Sequence, residues 1–310
     1  MKNNKDLSAP LFVSVVFLLM AISKKLLPFL SGDVIFSASI LEIFVFTLPA
    51  AFLLKLKNEK IRSYSKLKMP NIRFAPFILS SFLVFVFGSV IILYIQRILF
   101  DMETTSFVSL GAGDINPFSI FLCYVLIPAF AEEIFFRSIV LSEYSGFNAT
   151  VSITLSAIFF AMLHFSFTEF PFYFFAGAIL GIITYVTDSS VPSLIIHLIH
   201  NTVTVYYGNT LTSFLTESSS SVILAFLLVA AFLSSLLWML SSLEEIYEKR
   251  SALYEKQLIP GKKSDILETL ARAGHIEKRE KEFKTHKSPF LSPALFLVTA
   301  LFILITLNVI

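Results

Sequence analysis

The feature that most constrains this chain is a series of nine long apolar segments separated by polar stretches. A helix of about 20 apolar residues is what a chain needs to cross a bilayer once. Hydrophobic side chains make up 56% of the 310 residues and charged ones only 15%, against roughly 25% charged in a soluble domain. The apolar runs are continuous and not alternating, which argues against a membrane β-barrel. The sequence therefore predicts an all-α, polytopic transmembrane helix bundle.

The predicted spans are about nine in number, and their ends are good to a few residues. They cover residues 9–28, 33–54, 74–99, 117–142, 149–166, 170–187, 191–207, 220–242 and 289–310. Lys2, Lys5 and the apolar run after them also resemble a secretory signal, and its cleavage would leave eight spans.

The loops on either side of the third span differ in charge. Residues 55–73 contain seven Lys or Arg and one acid, whereas residues 101–116 contain three acids and no base. The positive-inside rule therefore places the first loop, and with it the N-terminus, in the cytoplasm. Residues 243–288 hold eleven bases and nine acids and are predicted to be a charged cytoplasmic segment, whose first part continues the eighth helix to about Lys256. The formal net charge of +2 gives no reason to expect a nucleic-acid partner.

Ionisable side chains inside a predicted span are costly and mark functional sites. The fourth span contains Glu132, Glu133 and Arg137. Glu133 and Arg137 are four residues apart, so they share a helix face and can pair. Glu132 points about 100° away and lacks that partner, which suits it to act as a general base or acid. The two adjacent glutamates are therefore predicted to have different roles.

Three more polar side chains belong to neighbouring spans. His164 ends the fifth span, and His197 and Asn201 lie four residues apart on one face of the seventh. At a rise of about 1.5 Å per residue, Glu132 and Asn201 are each about 15 Å from the cytoplasmic ends of their spans. The corresponding distance is about 9 Å for His197 and about 22 Å for His164. These depths are compatible with one polar layer, from which His200 is predicted to point away as a structural residue.

In their order and spacing, these residues resemble the three motifs of the CPBP family of intramembrane proteases. The motifs are Glu-Glu-x-x-x-Arg at 132–137, Phe-x-x-x-His at 160–164 and His-x-x-x-Asn at 197–201. The family includes the CAAX prenyl endopeptidases and the bacterial Abi proteins linked to bacteriocin processing and immunity. The resemblance covers residues 115–242, the predicted catalytic core, and leaves helices one to three (1–114) before it. The charged segment (243–288) and the last helix (289–310) lie beyond the core and depart from the family pattern.

The resemblance implies a helix bundle with a catalytic cavity between spans four to seven and an activity of peptide-bond hydrolysis. By position, Glu132 and His164 would activate a water molecule. His197 and Asn201 would stabilise the oxyanion with side-chain donors, an effect worth roughly 10²–10³ in rate for each donor.

The same resemblance implies that Glu133 and Arg137 hold the geometry of the site. We expect no cofactor, because the chain has no His-Glu-x-x-His motif. A catalytic zinc held by Glu132, His164 and His197 is the alternative.

The expected partners are the lipid bilayer and a peptide or lipidated protein as substrate. An apolar substrate would suit a cavity lined by the aromatic side chains near the motifs, which are Phe130, Phe135, Phe136, Phe159 and Phe160. Two other classes stay open. One is a non-catalytic scaffold or immunity factor of the same fold, and the other is a proton-coupled transporter, since intramembrane Glu and His also make proton relays.

Overall fold

The structure is a computed structural model that describes residues 8–29, 34–56, 66–100, 116–144, 147–217, 221–257 and 292–307. Within these residues it is helical and contains no strand, which confirms the predicted fold class. The long helices are α1 (Ser8–Leu26), α2 (Val34–Leu56), α3 (Ala75–Phe100), α4 (Pro117–Glu143), α5 (Ala149–Leu163), α6 (Phe170–Thr187), α7 (Val191–Glu217), α8 (Ser221–Gln257) and α9 (Pro293–Thr306).

Five of the described helices, α2, α3, α4, α6 and α8, are long and apolar enough to cross a membrane. The helices α1, α5 and α9 are apolar over shorter stretches. The chain is therefore an integral membrane protein. α5 has 15 residues, a length of about 22 Å, which is less than the roughly 30 Å of a bilayer core.

Side-chain caps begin three of these helices, in agreement with the sequence positions of their polar residues. Asn116 caps α4, Asn148 caps α5 and Ser292 caps α9, each by accepting a hydrogen bond from a backbone N–H of the first turn. Such a bond satisfies a donor that has no partner inside the helix. These caps fix where the helices start.

The helix α4 contains two segments with π-helical winding. Two π-helical segments, Phe121–Leu126 and Ile134–Val140, lie on either side of the α-helical Ile127–Glu133. Pro128, which has no N–H to donate, lies at the start of this central piece. Because a π-helix has more residues per turn, the faces of α4 cannot be read from a 3.6-residue period alone, and π-segments are frequent at functional sites.

α5 and α6 form an antiparallel hairpin with closely packed backbones. A Cβ atom at Gly177 of α6 would lie 3.0 Å from the Cα atom of Ala157 in α5. Glycine and alanine at this crossing allow the close approach that is typical of membrane helix pairs. The hairpin brings the end of α5 and the start of α6 to the same place, beside the candidate site.

Two long-range hydrogen bonds show which loops share an end of the bundle. At one end, the N–H of Ser190 donates to the carbonyl of Lys66 at 2.9 Å, which joins the α6–α7 turn to the segment before α3. At the other end, the side chain of Gln96 donates to the carbonyl of Thr168 at 2.6 Å. If successive helices cross the membrane in opposite directions, as predicted, the loops joined by each of these hydrogen bonds must lie at the same end of the bundle. Which end faces the cytoplasm stays a prediction.

The helices α7 and α8 end well beyond the predicted spans. α7 extends to Glu217, ten residues past the predicted end at 207, because hydropathy does not register a helix that continues with polar residues. The prediction that the eighth helix continues to about Lys256 is confirmed, since α8 ends at Gln257. The signal-like residues 1–7 and the rest of the charged segment, 258–288, lie outside the described residues.

Candidate active site

Glu133 is the centre of a buried ion network. Its Oε2 lies 3.3 Å from Nε of Arg137, which is the pair predicted from the spacing of four residues. Its Oε1 accepts a hydrogen bond from Nδ1 of His197 at 3.1 Å. The hydroxyl of Ser193, one turn before His197 in α7, also lies next to this carboxylate. The network therefore joins α4 to α7.

Arg137 is the most deeply buried cation of this network, with an exposed fraction of 0%. Besides its ion pair with Glu133, its guanidinium carbon lies 4.7 Å from the ring centroid of Phe160 in α5. A cation over an aromatic face is stabilised by the ring's quadrupole, more so away from water. Arg137 therefore connects the glutamates of α4 to the second motif.

Glu132 is also buried but has a different environment. Its Oε2 is 3.9 Å from Nε2 of His197, which is too long for a direct hydrogen bond. Among the described residues, this oxygen, like Oε2 of Glu133, has no hydrogen-bond partner. The two ring nitrogens of His197 thus face two carboxylates, Nδ1 towards Glu133 and Nε2 towards Glu132. The separation on the Glu132 side is one that a water molecule can bridge.

His164 lies directly after the last residue of α5. Its Nδ1 is 2.9 Å from the carbonyl oxygen of Phe160, which can only accept, so Nδ1 carries the proton and Nε2 the lone pair of the neutral ring. One face of the imidazole stacks on Tyr173 of α6. The ring of Phe160 lies edge-on to His164 at 5.1 Å and to His197 at 5.9 Å. Phe160 is therefore the spacer between the two histidines.

Asn201 and His200 of α7 have different surroundings. Asn201 is half-buried and lies one turn after His197. His200 lies between the rings of Phe85 and Phe172, with centroid distances of 5.3 and 5.4 Å. These aromatic neighbours agree with the prediction that His200 is a structural residue.

The arrangement gathers Glu132, Glu133, Arg137 and His197 into one network, with His164 attached to it through Phe160. The carboxylate of Glu133 is held by Arg137 and His197, whereas that of Glu132 has only the longer contact with His197. A metal site needs three ligands that converge on one point. Among the described residues, no group of three His, Cys, Asp or Glu side chains is arranged to hold a metal ion, and this includes the set Glu132, His164 and His197.

Three side chains of this environment, Glu42, Phe46 and Tyr173, were not predicted from the sequence. Glu42 of α2 lies close enough to Glu132 for their charges to interact. One turn further along α2, Phe46 packs against Phe135 at a centroid distance of 5.5 Å. The sequence did contain a signal for Glu42, because this residue is an ionisable one inside the second predicted span. Tyr173 gave no signal, since tyrosine is common in apolar helices.

Comparison with known proteins bears on the resemblance to the CPBP family. The family model described as type II CAAX prenyl endopeptidase, Rce1-like, matches residues 114–203. No curated protein and no solved structure matches the chain. The matched segment runs from just before α4 to the third motif in α7, and it contains all three motifs. Residues 114–203 thus carry the pattern of the Rce1-like family, and the resemblance drawn from the motifs is confirmed over this segment.

Proposed function

We propose that the chain is an intramembrane endopeptidase that hydrolyses a peptide bond in a membrane-associated or lipidated peptide. The family match supports this class of enzyme. The observation that carries the proposal is the contrast between two adjacent buried glutamates. Glu133 lies 3.3 Å from Arg137 and 3.1 Å from His197, whereas the described ion pair of Glu132 is with His197 at 3.9 Å. A carboxylate without a close partner suits a general base.

The proposed reaction uses Glu132 and His164 to activate water. Glu132 takes a proton from the water as its oxygen attacks the carbonyl carbon of the scissile bond, and His164 accepts a hydrogen bond from the same water at Nε2. The carbon–nitrogen bond of the tetrahedral intermediate then breaks. Glu132 returns the proton to the leaving nitrogen, and the products are a carboxylic acid and an amine.

His197 and Asn201 are the proposed donors to the oxyanion. In its doubly protonated form, His197 keeps Nδ1 on Glu133 and offers Nε2–H to the developing charge. Asn201, one turn further along α7, offers its side-chain amide. Glu133 and Arg137 hold His197 in place. Removal of one such donor typically lowers kcat by roughly 10²–10³, and we expect a loss of this order for Asn201→Ala.

Four of the five aromatic side chains near the motifs differ in exposure from the prediction. Phe135, Phe136, Phe159 and Phe160 have exposed fractions of 2% or less and pack in the core, so the prediction that they line a substrate cavity is wrong. Phe130 is 40% exposed and stays a candidate contact for an apolar substrate. Specificity for a lipidated substrate therefore rests on the family match.

A panel of quenched fluorescent peptides, plain and lipidated, tests the proposal on the full-length protein in proteoliposomes. The variants are Glu132→Gln and, as a matched control, Glu143→Gln at the end of the same helix. Wild type and the control are expected to cleave at least one peptide, and Glu132→Gln to be slower by about 10² or more, because it lacks a base. A parallel series with a strong chelator addresses the zinc alternative, and we expect cleavage to persist.

Four outcomes contradict parts of this proposal. Equal cleavage by wild type and Glu132→Gln excludes Glu132 as the base. No cleavage of any peptide, with Glu132→Gln functional in cells, favours the scaffold. Proton-coupled uptake that depends on Glu132, without cleavage, favours the transporter. Loss of cleavage on chelation, with recovery on addition of zinc, reverses the expectation that no cofactor is needed.

A further inference from the structure

The closest pair of rings near the site is His164 on Tyr173. Their centroids are 3.4 Å apart and their planes differ by 14°, so the rings overlap face to face. Two aromatic rings generally prefer an offset or edge-on arrangement with centroids about 4.5–7 Å apart. The overlap is therefore imposed by the structure around the two side chains.

Two contacts hold the rings from either side. On the α5 side, Nδ1 of His164 donates to the carbonyl of Phe160 at 2.9 Å, which fixes the rotation of the imidazole. On the α6 side, Pro171 lies in the first turn of the helix, and the N–H of Tyr173 donates to the carbonyl of Glu169 at 3.1 Å. Tyr173 thus belongs to the first turn of a helix whose start is fixed.

The loop between the two rings is strained and anchored. Phe165, directly after His164, has a φ of 51°, a left-handed conformation that costs roughly 1–2 kcal/mol for a residue with a Cβ atom. Its ring packs edge-on against Phe17 of α1 at 5.2 Å. Gln96, which is buried in α3, donates to the carbonyl of Thr168. Such strain persists only where the surrounding structure enforces it, and it concentrates at functional sites.

We propose that Tyr173 is a positioning residue for His164, whose imidazole it holds in one plane by covering one face. This inference rests on the proposed function, in which His164 binds the reacting water. The ring of Tyr173 carries out this role and its hydroxyl is not required. Phenylalanine should therefore replace it, whereas an aliphatic side chain should not.

The first test measures kcat and KM of the full-length enzyme for a cleaved peptide. Tyr173→Leu is expected to lower kcat by about 10²-fold, the loss typical of a catalytic group displaced by about 1 Å, while KM stays unchanged. Tyr173→Phe is expected to stay close to wild type. Tyr207→Leu, which changes an exposed tyrosine of α7, is the matched control. Tyr173→Met, with a more adaptable side chain, replaces the leucine variant if that fails to fold.

Two kinetic results would overturn the proposal. One is a Tyr173→Phe variant as slow as Tyr173→Leu, which would assign the role to the hydroxyl. The other is a Tyr173→Leu variant with wild-type kcat, which would show that the stack does not position His164.

A second readout does not depend on activity. Diethyl pyrocarbonate modifies accessible imidazoles, and mass spectrometry gives the rate at His164. This rate is expected to be equal in wild type and Tyr173→Phe and several-fold higher in Tyr173→Leu, because one face of the ring is then uncovered. Equal rates in all three proteins would overturn the proposal. If wild type cleaves no peptide, the proposed function fails, and the modification rates still decide whether Tyr173 holds His164.

Discussion

Two clusters of charged side chains in this molecule have similar chemistry and opposite environments. In the site, Glu133 pairs with Arg137 at 3.3 Å, and their side chains are 2% and 0% exposed. At the end of the bundle, Asp188 pairs with Lys68 at 2.5 Å, and both side chains are 61% exposed. Lys66 is a second partner of Asp188 at 3.6 Å.

The distance between the charged atoms does not indicate how much each pair contributes to stability. The shorter pair is exposed, so water and salt weaken it and the expected contribution is about 0–1 kcal/mol. The longer pair is buried, where removal of one partner leaves an uncompensated charge. Lys66 is intermediate: burial lowers its pKa, and the charge of Asp188 opposes that effect. The exposed cluster anchors a turn, whereas the buried one is suited to hold a functional group.

The largest effect on stability is expected for Arg137→Met. This change leaves Glu133 without its cation, and breaking a buried pair from one side typically costs about 3–5 kcal/mol. The free energy of unfolding, measured in mixed micelles by circular dichroism, is the test. A loss below about 1 kcal/mol would place this pair in the same class as the exposed one.

The double variant Glu133→Gln with Arg137→Met tests whether the loss of stability in Arg137→Met comes from the unpaired charge of Glu133. It removes both charges, so it is expected to be more stable than Arg137→Met alone, with an interaction energy of about 0.5–3 kcal/mol for the two neighbouring residues. The same unfolding assay completes a double-mutant cycle. Strictly additive losses would contradict a direct interaction between the two side chains.

A smaller effect is expected for Asp188→Asn in the exposed cluster. Asp188 has a φ of 51°, and asparagine tolerates this left-handed conformation, so the variant isolates the charge. We expect a loss of no more than about 1 kcal/mol. A loss comparable with that of Arg137→Met would refute the contrast between the clusters.

A higher ionic strength should affect the two clusters differently, and this is the smallest of the expected effects. The effect of Asp188→Asn is expected to shrink further in about 1 M salt, where the Debye length is about 3 Å. The effect of Arg137→Met should hardly change, because ions do not reach a buried pair. Equal salt dependence of the two variants would argue against the described burial of Arg137.

Much of the fold could be predicted from hydropathy, and the differences between the predicted spans and the helices have physical causes. The sixth span, 170–187, coincides with α6. The fifth was predicted to reach residue 166 but ends at Leu163, because Phe165 leaves the helical region of φ and ψ. The two π-helical segments of α4 were not predicted, since apolar composition does not encode a change in residues per turn.

The candidate site was predictable where its residues are close in sequence. The pair of Glu133 and Arg137 follows from helical spacing. The contact of His197 with Glu133 joins residues 64 positions apart and required the packing of α7 on α4. The sequence analysis combined Glu132 with His164, whereas the described contact of Glu132 is with His197. The catalytic roles of these residues stay predictions.

The central claim is that the adjacent glutamates have different roles, and one paired measurement tests it most directly. Peptide cleavage and the free energy of unfolding would be measured for Glu132→Gln and Glu133→Gln. We predict that Glu132→Gln loses cleavage and keeps a stability close to that of wild type, because the described ion pair of this carboxylate, with His197 at 3.9 Å, is too long for a hydrogen bond. Glu133→Gln should lose both cleavage and stability, because its partners are Arg137 and His197. Equal losses of stability in the two variants, or full activity in Glu132→Gln, would contradict the account.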